Sequence, residues 1–461
     1  MNLPFCDQCR VNKSCIQDLA LFKKISGNKR IPPEEYCAKQ HAANNVYMGD
    51  WYKNILVRSL ENPTSLYPVF PELKKDIETL IEESKAAGNN TEYLFRKLPM
   101  SVTLMLTERC NLACKYCYER FSGNLQPKTM SRETVDKTLD RYLTPETLKL
   151  NESIIWDLIG GEIMVEFDLL KYTTESIIER YKQYGVCPRN ITLSFCTNGT
   201  LFTPEKREWL EKIKKTIGLL NLGLSLDGIK ECHDLCRNNS FDRVMEHFDW
   251  WKKTFPESGI KGTISPDNLK YLSRNVLFYV EELKLPQFYI NPTFEGPWTD
   301  EHVALYGDEL TKCAEYFLDH QEYKVLDNSN LFMNVGVRRT TKENWCGCGT
   351  HMRGVSPDGD IYPCLRAVTS DLCKLGNLDT GEDRNKLVPF YLYTRYNDDH
   401  ECQACDIVQY CPSCAMQWVE DTGDLFFRSK KLCQMTKVRY QVSKWYFDHM
   451  TKEAPQGNSM G

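Results

Sequence analysis

Cysteine carries the most legible chemistry in this chain. The 461 residues include 21 cysteines, and spacing sorts them. Cys110-x3-Cys114-x2-Cys117 puts three thiols on one short loop. Three thiolates can hold three irons of a [4Fe–4S] cluster and leave the fourth iron open. A zinc site wants four closed ligands, built on paired C-x2-C knuckles. A second run follows: Cys346, Cys348, Cys364, Cys402, Cys405, Cys411, Cys414 and Cys433. Near the start, Cys6-x2-Cys9-x5-Cys15 repeats the spacing of Cys402-x2-Cys405-x5-Cys411, with Cys37 available as a fourth ligand. A further accessory site, iron–sulfur or zinc, is expected there. The alternative is a cluster of reduced thiols in a docking module. Cys187, Cys196, Cys232, Cys236, Cys313 and Cys373 lack ligand spacing and read as buried filler or incidental thiols.

These loops need elements to position them. From about residue 100, short β-rich runs alternate with amphipathic helical stretches. The runs are 101–106, 153–158, 191–196, 219–226, 260–264 and 287–290. Helices are expected over roughly 132–143, 166–184, 204–216, 241–254 and 271–284. Thr203-Pro204-Glu205 signals a helix start: a capping hydroxyl, Pro at the first position, then an acid. Phe167, Leu170, Ile177, Ile178 and Tyr181 fall near one helical face. Six βα units with right-handed crossovers curl into an α/β fold, a partial (β/α)6 parallel barrel. Chemistry in such folds sits at the C-terminal ends of strands, and the triad follows the first run. We divide the chain into a Cys-containing N-terminal module (1–95), the partial barrel (96–325), a cysteine-rich domain organised around metal (326–440), and a C-terminal helix end and tail (441–461).

The triad resembles the C-x3-C-x2-C motif of the radical S-adenosylmethionine (SAM) superfamily, over roughly residues 100–440. The resemblance implies that the open iron chelates the amino and carboxylate groups of SAM. It also implies that one electron splits SAM to a 5′-deoxyadenosyl radical, which abstracts a substrate hydrogen. Further SAM contacts carry over at matching strand ends. Tyr116 stands where the family has an aromatic residue beside the adenine. Gly160-Gly161-Glu162 ends the second strand, with Glu162 as acceptor for the SAM ammonium. The family often continues with Pro, and this chain has Ile163. Thr197-Asn198 ends the third strand. Ser225-Leu226-Asp227-Gly228, with His233-Asp234 and Arg237, follows the family's S-x-D-G…H-D-x-x-R. Ser225 and Arg237 are expected to meet the SAM carboxylate, and Asp227 a substrate or ribose hydroxyl.

The second cysteine run resembles the SPASM domain, an iron–sulfur module of radical SAM enzymes that modify peptides. Here x2 rather than x3 precedes Cys414. Family topology implies that Cys346, Cys364 and Cys414 hold one auxiliary cluster, with Cys348 either closing it or leaving an open iron. Cys402, Cys405, Cys411 and Cys433 would then hold a second. A zinc ribbon on Cys402, Cys405, Cys411 and Cys414 is the competing reading, but it strands Cys364 and Cys433.

The phrase Trp156-Asp157-Leu158-Ile159-Gly160-Gly161-Glu162, with Tyr362-Pro363-Cys364, resembles maturases of ribosomally made peptides, particularly those of CXXX-repeat substrates. The expected activity is thioether crosslinking of a Cys-containing precursor peptide, with an external donor such as flavodoxin or ferredoxin supplying electrons. One alternative is sulfatase-maturase-like oxidation of Cys or Ser. That family carries Asp as a base just after the last Cys of G-x4-C, and this chain has Leu365. Another is radical modification of a small metabolite or nucleobase. Residues 1–95 lack the β-rich opening of a winged-helix leader-binding domain. Composition is ordinary for a globular protein, 41% hydrophobic and 26% charged. A net charge of −5 without a basic block argues against nucleic acid as a partner. The longest apolar runs fall short of a membrane span, and no signal peptide is visible, so a cytoplasmic protein is expected.

Overall fold

The computed structural model describes residues 101–118, 126–150, 154–294, 296–323, 330–335, 346–368, 373–383, 386, 390, 402, 405–412, 414–422 and 429–453. The N-terminal module with Cys6, Cys9, Cys15 and Cys37 lies outside the described residues.

Six parallel strands stand side by side in chain order. They are β1 (Ser101–Thr107), β2 (Ile155–Gly160), β3 (Thr192–Thr197), β4 (Leu219–Ser225), β5 (Ile260–Ile264) and β6 (Phe288–Pro292). Between them run α1 (Arg132–Tyr142), α2 (Pro145–Leu150), α3 (Phe167–Gln183), α4 (Pro204–Thr216), α5 (Lys230–Cys236), α6 (Phe241–Thr254) and α7 (Leu272–Leu277). The six strands and α1, α3, α4 and α6 match the expected rhythm within two residues; α2 and α5 were not expected, and the stretch expected over 271–284 is α7 followed by a π-helical turn, Phe278–Glu282. Thr203 caps α4 by accepting from the Lys206 amide. Phe167, Leu170, Ile177, Ile178 and Tyr181 are all buried on α3.

Alternation along the strands separates two faces. One face carries Val102, Leu104, Trp156, Leu158, Leu193, Phe195, Leu220, Leu222, Ile260 and Phe288, all in a continuous apolar core with the helices. The other carries Asp157, Ser194, Asn221, Lys261, Thr263 and Asn291. Parallel sheets usually bury apolar residues on both faces. A polar second face fits strands that wrap around a wet interior.

The C-terminal cysteine region does not form a layer of its own. β7 (Met352–Val355) pairs in parallel with β1, Ser101 opposite Met352. From β7 the sheet continues antiparallel through β8 (Asp360–Tyr362), β9 (Gly376–Asn377) and β10 (Gly381–Glu382), ten strands in all. A second apolar cluster around Ile361, Tyr362, Leu375, Phe390, Met416 and Trp418 supports this extension. Two helices that the strand rhythm did not anticipate, α8 (Asp300–Asp319) and α10 (Lys430–Glu453), pack along one another. α9 (Ala415–Thr422) lies between them in sequence and follows Cys414.

At the β1–β2 exit the backbones nearly touch. A methyl group on Gly160 would sit 2.4 Å from the Thr107 carbonyl oxygen, and one on Gly161 2.6 Å from that of Arg109. Neither backbone has room to yield without losing the Gly161 N–H to Thr107 carbonyl bond of 2.9 Å. We expect Gly160→Ala to cost about 1–3 kcal/mol, as overpacking does. The check is a lower urea midpoint at unchanged slope; an unchanged midpoint would show that the exit can spread freely.

Candidate functional site

The six strand ends open into one cavity of about 660 Å³. Its wall includes Cys110, Cys114, Tyr116 and Cys117 after β1, Gly160–Glu162 after β2, and Thr197 and Asn198 after β3. Ser225 and Arg237 follow from β4, Lys261 and Thr263 from β5, and Asn291 to Phe294 from β6. Leu365 and Arg366, just past Cys364, complete it.

Hydrogen bonds fasten the triad loop to its neighbours. The Arg109 carbonyl accepts from the Glu162 amide at 2.9 Å, and the Lys115 amide donates to the Cys236 carbonyl at 2.9 Å. Asn111 donates to Thr200 Oγ1 at 2.9 Å and accepts from Asn198 Nδ2 at 2.8 Å. The loop is therefore tied to the ends of β2 and β3 and to α5.

Glu162 is buried, 1% exposed. Its Oε1 accepts from the Met164 amide (3.0 Å) and the Thr197 hydroxyl (2.8 Å), and its Oε2 from the Asn198 amide (2.6 Å). Burial raises its pKa against the pull of those donors. Three of about four lone-pair sites are thus spent within the protein. What remains for a ligand ammonium is a single position.

Asp227 was expected to face a hydroxyl of substrate or ribose. The structure turns it into the wall instead. Its Oδ2 accepts from the Tyr116 hydroxyl and from Arg237 Nε (2.9 Å), and its Oδ1 from the Thr263 amide (2.9 Å). Burial works against the charge on Arg237, but Asp227 outweighs it and holds the guanidinium well above its ordinary pKa. Arg237 also lies over the Tyr116 ring at 5.4 Å. Asp227 therefore orients two cavity residues and, like Glu162, keeps one of about four lone-pair positions.

His233 completes this wall. Its Nδ1 accepts from the Asp227 amide at 3.3 Å, so the proton sits on Nε2, which meets Ser240 Oγ at 2.9 Å. Burial lowers its pKa to about 4.

Cys196, read from sequence as an incidental thiol, lies on the cavity wall with its Sγ 3.5 Å from Ser225 Oγ. Sequence reasoning also missed Lys261, Thr263, Asn291, Phe294 and Arg366. The available signal was alternation: Lys261, Thr263 and Asn291 fall on the polar face of β5 and β6, Phe294 lies just past β6, and Arg366 just after a ligand-spaced Cys. Cys232, Cys236, Cys313 and Cys373 are buried as expected, while Cys187 is exposed.

Cys110 is exposed as a residue, yet partial enclosure pushes its thiol up to about 12, helped by Glu162, Cys114 and Cys117. Thiols ligate as thiolates, so this group stays protonated unless a strong positive centre joins it. An iron–sulfur cluster is such a centre, and the donor set fits one. In the C-terminal region, Cys348 is raised well above the ordinary thiol range by its hydrogen bond with Cys364, then by burial and by Cys364, Cys346 and Cys414. Cys414 is pushed up to about 12 by burial first, then by Cys364 and Cys346. Cys346, Cys348, Cys364 and Cys414 thus form one electrostatic group. The turn from Cys405 to Cys411 docks on α10, which bears Cys433, through Tyr410 and Tyr440 at 5.2 Å. Among the described residues no three His, Cys, Asp or Glu side chains form a site for a single metal ion.

The family model of the radical SAM superfamily matches residues 104–266. A serine-type anaerobic sulfatase-maturating enzyme of Bacteroides thetaiotaomicron is 34% identical over 390 residues, 75% of this chain and 89% of the relative. The chain belongs to the radical SAM superfamily. The subtilosin biosynthesis protein AlbA of Bacillus subtilis is 24% identical over 359 residues, 74% of this chain and 72% of AlbA. A solved structure of native anSMEcpe with bound AdoMet superposes with a TM-score of 0.61 at 18% identity, covering 77% of this chain and all of that one. This radical SAM protein is therefore an enzyme of the peptide- and protein-modifying group. The family implies a [4Fe–4S] cluster and SAM as its cofactors.

Two outcomes are expected. Replacing Cys110, Cys114 and Cys117 together with Ala abolishes release of 5′-deoxyadenosine; persistent release would place the radical site elsewhere. For His233, the folded pKa lies below the unfolded value near 6.5. Between those values the unfolded chain binds more protons, so stability falls as pH drops from about 6.5 to about 4. The wild-type advantage over His233→Asn, read from anaerobic urea midpoints, shrinks over that window. A constant difference would mean that His233 keeps its ordinary pKa.

Proposed function

We propose that this radical SAM enzyme crosslinks a Cys-containing ribosomal peptide through a thioether. The observation that carries the reading is one cavity joining the triad loop to Leu365 and Arg366, directly beyond Cys364. A peptide held there would lie between the radical source and the second cysteine group.

Cys110, Cys114 and Cys117 would hold the SAM cluster. The group Cys346, Cys348, Cys364 and Cys414 would hold a closed auxiliary cluster, and Cys402, Cys405, Cys411 and Cys433 another, the region 326–440 being a SPASM domain. When bound, SAM and its cluster supply a 5′-deoxyadenosyl radical, and an auxiliary cluster supplies an acceptor for a second electron. Ser225 and Arg237 receive the SAM carboxylate, Tyr116 flanks the adenine, and the remaining lone pair of Glu162 meets the ammonium. Thioether formation removes two electrons and two protons from the peptide. One hydrogen atom leaves with the deoxyadenosyl group; the other leaves as an electron and a proton. The electron that starts each cycle comes from a flavodoxin or ferredoxin. We assign the enzyme to the cytoplasm, where thiols stay reduced. No helix among the described residues is long and apolar enough to cross a membrane.

A second reading is supported by the 34% identical serine-type sulfatase-maturating relative: oxidation of a Ser or Cys side chain to formylglycine. Leu365 weighs against it, because an aliphatic side chain cannot take up a proton at that place.

Mass and thiol count separate the two. A thioether product loses two hydrogens, about 2 Da, and one alkylatable thiol. Formylglycine made from Ser keeps its thiol count and reacts with a hydrazide, an outcome that would sink the crosslinking claim. Full anaerobic reconstitution should give about twelve irons per chain for three clusters. Cys348→Ala should lower that number; iron content and turnover at the wild-type level would make Cys348 a bystander.

A further inference from the structure

Exposed apolar side chains stand on the inner face of the sheet, at the end of the barrel opposite the triad. Six large apolar residues are exposed among the described residues. Three of them, Ile155 (40%), Leu219 (43%) and Tyr289 (43%), alternate with the core-facing residues of β2, β4 and β6. Ile155 and Leu219 open their strands, and Tyr289 is second in its own. Register sets two of them in one row: Ser101 pairs with Ile155, Ile155 with Thr192 and Thr192 with Leu219. The next inward row is polar, running Thr103, Asp157, Ser194 and Asn221. The cavity wall begins two residues further along β2 and β3, at Ile159 and Cys196.

The rim cannot hide these side chains by itself. The Gly218 and Leu219 amides both donate to the Ile191 carbonyl at 3.1 Å, and Arg189 Nη1 donates to the Ile217 carbonyl at 2.9 Å. A one-residue slip of β4 that covered Leu219 would turn Leu220, Leu222 and Leu224 out of the core. The chain itself arrives at this rim. Ser101 opens β1 beside Ile155, and 100 residues precede it. The last eight, Tyr93-Leu94-Phe95-Arg96-Lys97-Leu98-Pro99-Met100, include six apolar ones. Phe95 is six residues from Ser101, up to about 20 Å of extended chain. Leu219 lies three strand spacings from β1, about 14 Å. The run is therefore long enough to cross the row, and a tethered segment needs little affinity of its own to stay there.

We infer that residues 93–100 lie across the starts of β1 to β4, cover Ile155 and Leu219, and close the end of the barrel opposite the triad. Burial of the two side chains stabilises the cover. The polar row above it, from Thr103 to Asn221, then separates a closed floor from the cavity. Such a floor keeps bulk water from reaching the cavity from below, where a reactive intermediate needs a dry site. The inference concerns the barrel alone and holds for either peptide reading.

The test uses the full-length, anaerobically reconstituted enzyme. The photocrosslinker p-benzoylphenylalanine replaces Ile155 or Leu219, or, as a control, Val408, an exposed side chain in the C-terminal cysteine region. Irradiation and mass mapping should join positions 155 and 219 to residues 93–100 of the same chain, and position 408 should not reach them. Crosslinks to a second copy, to an added Cys-containing peptide or to another part of the chain would each overturn the inference and name the true occupant. No crosslink, or an equal yield from position 408, would overturn it as well. Hydrogen exchange gives a second readout. The amides of residues 93–100 should be protected in the wild type. Leu219→Asp and Phe95→Asp should each speed their exchange about tenfold or more, the size expected of exposing one large apolar side chain. The amides of β3 and β4 should stay protected, since Leu219 is already exposed and Phe95→Asp alters no residue of the sheet. Wild-type amides at 93–100 that exchange as fast as an unfolded chain, or variants with unchanged exchange, would sink the inference.

Discussion

One buried carboxylate holds this site together. Glu162 contributes its side chain to the ends of β2 and β3 and its backbone amide to the Arg109 carbonyl beside the triad. Three strand exits are thus pinned through a single residue. An ionised carboxylate in that position is costly unless fully bonded, and the three donors supply the bonding. Cavity geometry then follows: the triad loop cannot drift relative to Thr197 and Asn198 without breaking bonds to a group that has no water to turn to. Asp227 plays the matching role one strand further on, joining Tyr116, Arg237 and the β5 backbone.

The triad and the six-strand order were legible because both are local. Ligand spacing needs only a loop, and strand–helix alternation needs only a short window of sequence. The cap at Thr203 and the buried face of α3 are local in the same sense. The direction of a side chain at a strand end is not. Asp227 lies two residues past β4 and Lys261 on the neighbouring β5, yet one turns into the wall and the other lines the cavity. Which does which depends on register and on the donors waiting nearby, and a two-residue period cannot show that from one strand alone. Cys196 went unrecognised for the same reason: its strand was anticipated, but its role follows from the cavity beside it. The grouping of Cys348 with Cys346, Cys364 and Cys414 was implied by the family resemblance, and the structure adds that Cys348 and Cys364 are hydrogen-bonded partners.

Gly160, the last residue of β2, and Gly161 show how a glycine pair can serve the protein's own packing. Gly160 and Gly161 invite the reading that a ligand approaches the backbone closely. In the structure the close neighbour is the protein's own chain, the carbonyls of Thr107 and Arg109. The motif brings two strand exits together, and the cavity inherits its narrow upper edge from that contact.

The pairing of β7 with β1 bears on how the chain comes off the ribosome. β1 is made early, and residues 128–130 cover the end of its second edge, yet the stretch 101–104 is satisfied only when Met352–Val355 arrives far downstream. Such a contact raises the contact order and slows closure. Until then the first half of β1, residues 101–104, presents an open strand edge to any other nascent chain. The hydrogen bonds that finish the barrel's first strand come from the same C-terminal region that carries the second cysteine group. A chain truncated before that region would lack more than its auxiliary cysteines: it would keep a half-paired first strand directly beneath the radical-generating loop.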